Sequence, residues 1–334
     1  MTTYIVTGAA GFIGFHLSKL LLSEGHRVVG IDNFNDYYDV SIKKARISIL
    51  ENSEKFILHE LDISEYKELE KVFVRNQASF VINLAAQAGV RYSLENPAEY
   101  FKSNILGMFN ILELSKKYNI KHLLGASTSS VYGSNKEMPF TEVQKCDEQL
   151  SFYAASKKTN ETMSHSYSHN YKLPVTLFRF FTVYGPWGRP DMALFKFTKA
   201  ILSDEPIDVY NNGEMFRDFT FVDDLVLSIY KLSKAIPKAN TPVCETDSVS
   251  TVAPWRVVNI GNSQKVRLME YIETLERELK ITATKNFLPM QMGDVPATLA
   301  DTSLLQTLTD YHPSTSVKEG IKAFVNWYRE YYDC

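Results

Sequence analysis

A short apolar run, Tyr4-Ile5-Val6, passes directly into Thr7-Gly8-Ala9-Ala10-Gly11-Phe12-Ile13-Gly14, and helical periodicity follows at Ile13, Leu17, Leu20 and Leu21 until Gly25. Gly8, Gly11 and Gly14 permit a tight turn and bring the backbone close to a pyrophosphate. The helix that starts there offers unpaired N–H groups and a positive dipole end to the same anion. A strand, loop and helix in this order constrain the rest of the chain to a parallel sheet with helices on its faces. Further runs at Arg27–Ile31, Phe56–Leu58, Phe80–Leu84, His122–Gly125 and Val175–Phe181 are apolar on both faces, as buried parallel strands are. Helical stretches separate them, among them Tyr100 to Tyr118 with Ile105, Phe109 and Leu112. The fold class is therefore α/β, a Rossmann-type doubly wound parallel sheet. Beyond residue 183 the rhythm breaks into Pro and Gly turns, short strands and helices at Arg267–Leu279 and Val317–Tyr331. We divide the chain into a nucleotide-binding domain, 1–183, and a smaller α+β substrate-binding portion, 184–334, some segments of which return to the sheet. Residues 235–254, rich in Pro, Thr, Ser and Ala, read as a surface loop.

Asp32 ends the second strand, 18 residues after Gly14, where a carboxylate accepts hydrogen bonds from ribose hydroxyls and repels a 2′-phosphate. Asn33 follows it, not Arg, so NAD is the expected cofactor. Asp62-Ile63, after the third strand, flank the adenine or cap a helix.

Tyr153 and Lys157 are four apart in Tyr-Ala-Ala-Ser-Lys and share a helix face, and the hydroxyl cluster Ser127-Thr128-Ser129-Ser130 ends the preceding strand. A phenol with an ordinary pKa of about 10 is a base at neutral pH only beside a cation. These residues resemble the extended short-chain dehydrogenase/reductase superfamily. The resemblance makes Thr128, Tyr153 and Lys157 the catalytic set and adds Leu84, Ala85 and Ala86 to the cofactor wall.

Three longer segments narrow the resemblance to the bacterial UDP-glucuronate 4-epimerases: Leu84 to Arg91, Arg179 to Met192 (RFFTVYGPWGRPDM) and Arg217 to Asp224 (RDFTFVDD), with Gly293 to Thr298 extending it toward the C-terminus. By that resemblance Arg91 and Arg217 face the UDP-sugar, Arg217 at its diphosphate, and Asp294 meets the uridine ribose. A surface ion pair and a turn cap are the plain structural roles for Arg217 and Asp294. Arg189, Ser129, Ser130 and Thr182 are candidates to hold a sugar carboxylate, Arg189 through its rigid bidentate fork. Bracing of the proline loop is its plain structural role. Relatives acting on neutral sugars usually carry Asn at Thr182 and Arg near Gln291. Dehydratases of the superfamily carry an Asp-Glu pair where this chain has Ser129 and Ser130. The expected reaction is interconversion of UDP-glucuronate and UDP-galacturonate through a 4-keto sugar on tightly held NAD. A UDP-N-acetylhexosamine 4-epimerase, a UDP-glucuronate 5-epimerase or decarboxylase, and a non-catalytic NAD sensor stay open as alternatives.

Lys plus Arg total 36 against 39 Asp plus Glu, a formal charge of −3, which offers no general attraction to nucleic acid or an anionic membrane. Cys146, Cys244 and Cys334 are too scattered for a disulfide framework or zinc site, and a reducing cytoplasm fits them. His165 and His169 have the i, i+4 spacing of a metal pair but no evident third ligand, so a solvated helix face is expected and no metal is assigned. The resemblance implies a homodimer paired through helices near 97–117 and 153–170, with Met108, Leu112 and Met163 as outer positions.

Overall fold

The two-faced apolar runs form strands in the computed structural model, which describes residues 1–291 and 294–334; Gly293 lies outside the described residues. They are β1 (Thr3–Thr7), β2 (Arg27–Asp32), β3 (Phe56–Glu60), β4 (Phe80–Asn83), β5 (His122–Thr128) and β6 (Val175–Phe180). After them come β7 (Thr182–Tyr184), β8 (Ile207–Tyr210), β9 (Phe216–Phe221), β10 (Trp255–Ile260), β11 (Lys265–Arg267) and β12 (Lys285–Leu288). The main sheet runs β10-β6-β5-β4-β1-β2-β3, parallel throughout. Side chains alternate between its faces. Val6, Val28 and Ile82 meet helices Phe12–Ser23 and Val222–Lys234, while Ile5, Val29 and Val81 meet helices Tyr66–Asn76 and Gly107–Lys117. Each such fully buried side chain stabilises the fold by about 1.5–3 kcal/mol relative to exposure.

The order reverses at β1, with β2 and β3 on one side and β4 on the other, so a crevice opens beyond the C-terminal ends of β1 and β4. Thr7 ties the crevice together. Its hydroxyl donates to Asn83 Oδ1 at 2.6 Å and accepts the N–H groups of Leu84 at 3.1 Å and Ala85 at 3.0 Å.

The chain passes between two sheets on either side of residue 183. Thr182 already belongs to a second sheet, β11-β9-β7, while helix Val222–Lys234 and β10 return to the first. The strand β6 would otherwise be a bare edge, and β10 pairs along it from Trp255 to Ile260. The second sheet packs with helices Ala193–Leu202, Leu268–Leu279 and Val317–Tyr332 around Phe219, Tyr271, Ile272 and Phe324. Residues 235–254 contain no helix or strand, as expected of a loop. His165 Nε2 meets Ser250 Oγ at 2.9 Å and His169 Nδ1 meets the Val252 carbonyl at 3.0 Å; this pair lies on an exposed helix face, with His169 exposed and His165 half-buried, and also pins the loop to its helix.

The helix expected from Tyr100 to Tyr118 is interrupted. Phe101–Leu106 is a π-helix that leads into the regular helix Gly107–Lys117. Met108 and Leu112, expected to face outward, lie four apart on the buried face of the regular helix and pack in the core, with Met163 half-buried against it; Phe101, Leu106 and Phe109 are exposed.

Helix Phe152–Tyr171 is capped by Ser151, whose side chain accepts the Ala154 N–H at 3.1 Å. It is fastened to the sheet by Glu161, which receives Arg179 Nε and Nη2 at 2.9 Å each and the Ser127 hydroxyl at 2.8 Å. Both partners are buried. Glu161→Ala should therefore strand the guanidinium and destabilise the protein by about 3–5 kcal/mol, whereas Glu161→Leu combined with Arg179→Met should recover much of that loss. Urea unfolding of the two variants checks this, and equal losses would rule out the stranded charge as the cause.

Candidate active site

The crevice holds a cavity of about 220 Å³. Gly8, Gly11, Phe12, Ile13 and Gly14 line it, as do Asp32, Asn33, Asp62, Ile63, Leu84, Ala85 and Ala86, and Tyr153 and Lys157 stand in its wall. The structure thus brings together every residue expected at the cofactor. The glycines are required by shape. Gly8 has φ +69°, and a Cβ there would sit 2.9 Å from the Ala85 nitrogen; a Cβ on Gly14 would sit 2.0 Å from the Gly8 oxygen. The helix at Phe12 begins without a side-chain cap, leaving its first N–H groups for an anion. Asp32 Oδ2 accepts the Ala10 N–H at 3.0 Å and Oδ1 the Phe34 N–H at 2.9 Å, which fixes the carboxylate at the end of β2 in the cavity wall. Burial raises its pKa. Asp62 lines the cavity but does not cap the next helix, which begins after Glu65 without a side-chain cap: Oδ1 accepts the Ser64 N–H at 2.9 Å in a local turn, and Oδ2 meets Asn33 Nδ2 and Lys102 Nζ at 3.2 Å. A glycine cradle, a helix N-terminus and a carboxylate at a second strand's end together fit NAD.

Lys157 is buried, with Nζ donating to the Ala126 carbonyl at 2.9 Å, and burial pulls its pKa down to about 8. Enclosure pushes the Tyr153 phenol up, while the Thr128 hydroxyl and the Arg189 guanidinium pull it back. Thr128 ends β5, donates to Ser130 Oγ at 3.2 Å and accepts the Ser130 N–H at 3.1 Å. Ser129 and Ser130 open the turn that follows it, and Thr182 begins β7 beside a smaller pocket that Arg189 also lines.

Arg189 reaches the cofactor cavity, but its fork is filled: Nε donates to Asp191 Oδ1 at 3.0 Å and Nη2 to Oδ2 at 2.5 Å. Arg91, Arg217 and Asp294 do come together. Arg91 Nη2 pairs with Asp294 Oδ2 at 3.1 Å and lies over the Tyr210 ring, while burial lowers the Arg217 pKa and the nearby Asp294 charge opposes that.

The model of the GDP-mannose 4,6 dehydratase family matches residues 5–324. The chain belongs to that family. Among its relatives, a probable UDP-glucuronate 4-epimerase of Rhizobium meliloti is 51% identical over 332 residues, 98% of this chain and 97% of the relative. The protein CapI of Staphylococcus aureus is 52% identical over 330 residues, 98% of each. The structure of UDP-glucuronic acid 4-epimerase from Bacillus cereus, solved with UDP-glucuronic acid and NAD, superposes with a TM-score of 0.89 at 33% identity, covering 99% of this chain and 100% of that one. The family's name describes dehydratases, yet no carboxylate stands at Ser129 or Ser130 to protonate a departing hydroxyl.

Sequence reasoning missed two groups. Asn104, in the π turn, donates to Ser156 Oγ at 3.0 Å and the Gln87 carbonyl at 3.1 Å and accepts the Gln87 N–H at 2.8 Å, bridging the catalytic helix to the loop after β4. Nothing in the spacing marks it. Lys43, lining the cavity, and Arg46 lie on one buried stripe with Ile42, Ile47 and Leu50 of helix Val40–Leu50. Two cations on an apolar stripe were a legible signal.

The Lys157 shift has a testable sign. Between about 8 and its ordinary 10.5 the unfolded chain binds a proton that the folded, NAD-free chain has shed, so stability rises with pH there. Unfolding wild type and Lys157→Met at about pH 7.5 and about pH 10 should show wild type gaining on the variant at the higher pH. A pH-independent difference would remove burial as the cause.

Proposed function

We propose that the chain is a UDP-glucuronate 4-epimerase that interconverts UDP-glucuronate and UDP-galacturonate. The observation that carries this reading is that Tyr153, Lys157 and Arg189 wall the same cavity as the glycine cradle, placing a proton acceptor, its supporting cation and a second cation beside one cofactor. NAD bound there would accept the hydride of sugar C4 and supply it to the opposite face of the 4-ketone once that ketone has turned over, and its positive charge would favour a phenolate. Tyr153 takes the proton of the 4-hydroxyl, Thr128 donates to the same oxygen, and Lys157 holds the phenolate. A uronate oxidised at C4 is a β-keto acid and loses CO₂ if its carboxylate aligns with the carbonyl. Arg189 Nη1, not used by Asp191, and the hydroxyls of Ser129, Ser130 and Thr182 are the groups that hold it out of line. Arg217 and Arg91 suit the UDP diphosphate, with Asp294 at the ribose.

One observation favours a second reading. A guanidinium already matched by Asp191 needs no carboxylate from the sugar, as a UDP-N-acetylhexosamine 4-epimerase would require. We infer further a cytoplasmic homodimer supplying activated uronate for polysaccharide biosynthesis. Exposed Phe101, Leu106 and Phe109 on one helical stretch support pairing, and the free thiols support a reducing compartment.

Incubating the protein with UDP-glucuronate and reading products by NMR tests the reaction; UDP-galacturonate is expected, and its absence overturns the reading. In Tyr153→Phe, epimerisation should vanish while UDP-glucuronate still binds, as measured by calorimetry; unchanged turnover would remove Tyr153 from the mechanism. Arg189→Leu, made in an Asp191→Asn background so that no carboxylate is stranded, should weaken UDP-glucuronate binding by about 2–5 kcal/mol relative to that background and leave UDP-glucose nearly unchanged. A UDP-pentose by-product should appear. Equal losses for both sugars without pentose would favour the acetamido-sugar reading.

A further inference from the structure

Arg46 is completely buried. Its Nη1 donates to the Ala10 carbonyl at 2.8 Å and the Tyr38 hydroxyl at 3.0 Å, and its Nη2 to the carbonyls of Trp187 at 2.6 Å and Gly188 at 3.3 Å. All four acceptors are neutral oxygens, and Nε has no partner among the described residues. A buried guanidinium is normally matched by a carboxylate, because an uncompensated charge is expensive to desolvate. What this one has instead is position. It stands where the glycine loop, the Tyr37-Tyr38 loop and the Gly185–Asp191 loop meet.

The last of these loops is strained. Trp187 has φ +58°, a left-handed conformation that a tryptophan keeps only when its surroundings impose it. Its ring is gripped by Phe15, Trp327 and Tyr331, with centroids 5.6, 5.2 and 4.8 Å away. Its backbone is gripped from the nucleotide-binding half. His16 Nε2 meets the Pro186 carbonyl at 2.9 Å, and Arg46 takes the next two carbonyls. The residue after Gly188 is Arg189.

We propose that Arg46 is a positioning residue that sets where Arg189 stands over the cofactor cradle, so that preference for a uronate is fixed in part from the cofactor side. The planar fork spans Ala10 and Trp187 in one rigid piece, and the strained loop passes that register to the next side chain. A lysine ammonium on a flexible stem cannot hold both carbonyls in that geometry. The proposal rests on the reading of Arg189 as the carboxylate clamp.

The test uses the full-length, NAD-containing protein with Arg46→Lys and Arg46→Met, alongside the Arg189→Leu, Asp191→Asn pair. Calorimetry gives affinities for UDP-glucuronate and UDP-glucose, NMR gives the pentose fraction, and thermal melting reports folding. Both Arg46 variants should bind UDP-glucuronate about tenfold more weakly, keep UDP-glucose within about twofold, and release more pentose than wild type. Lysine should fail like methionine although it keeps the charge; if Arg46→Met does not fold, Arg46→Lys carries the test. Equal losses for both sugars, or a lower melting temperature with selectivity intact, would make Arg46 a structural brace and overturn the proposal. If the Arg189 variant keeps its selectivity, the clamp reading falls, and this proposal with it. If that variant loses selectivity while the Arg46 variants retain it, the clamp stands and only this proposal falls.

Discussion

The chemistry stands where it does because helix Phe152–Tyr171 meets the sheet through a buried ion pair with fixed geometry. Glu161 takes two nitrogens of Arg179 on β6 and the hydroxyl of Ser127 on β5, and Thr128 is the next residue along that strand. Tyr153 and Lys157 lie eight and four residues earlier on the same helix. Sliding the helix by one residue would separate charges that have no water to replace the lost partner, so the ion pair acts as a register mark between the phenol and the threonine. Arg179 also lies over the Tyr132 ring, whose hydroxyl donates to Asn259 on β10 at 2.6 Å, so the mark extends to the sheet's outer strand.

On that scaffold the cavity favours the neutral forms of its own acid and base. Enclosure raises the Tyr153 phenol and lowers the Lys157 ammonium, both for want of water. With a pKa of about 8 the lysine ammonium still carries most of its charge at neutral pH, and the Thr128 hydroxyl and Arg189 guanidinium oppose the rise of the phenol. Arg189 behaves differently. Its partner Asp191 keeps it charged and oriented, leaving one nitrogen for a ligand.

Much of this was legible because backbone geometry forces residue type. Only glycine tolerates the contacts at 8 and 14, and strands buried on both faces must be apolar, so β1, β2, β4, β5 and β6 were readable; β3, an edge strand with Ile57 exposed, was found by its short apolar run alone. β10 was not, because Arg256 and Asn259 interrupt its apolar run. They are buried only because Asp247 takes two nitrogens of Arg256 at 2.8 Å and because the Asn259 amide donates to the carbonyls of Phe140 and Asp301. Those partners are distant in sequence or in loops without periodicity. The π turn at Phe101–Leu106 was illegible for a different reason: a shift in hydrogen-bond register leaves composition unchanged. Arg189, expected to hold a sugar carboxylate or brace the proline loop, lines the cavity, but Asp191, only two positions on, went unweighed as its partner.

The grip of Trp327 and Tyr331 on Trp187 also has a bearing on synthesis. These rings belong to the helix Val317–Tyr332, whereas the residues of the glycine cradle have all been synthesised once Ala85 has been added. The tryptophan loop therefore leaves the ribosome well before these two rings, which help to hold its left-handed bend. A chain cut short before that helix would lack both rings, and with them that part of the grip on the loop that carries Arg189.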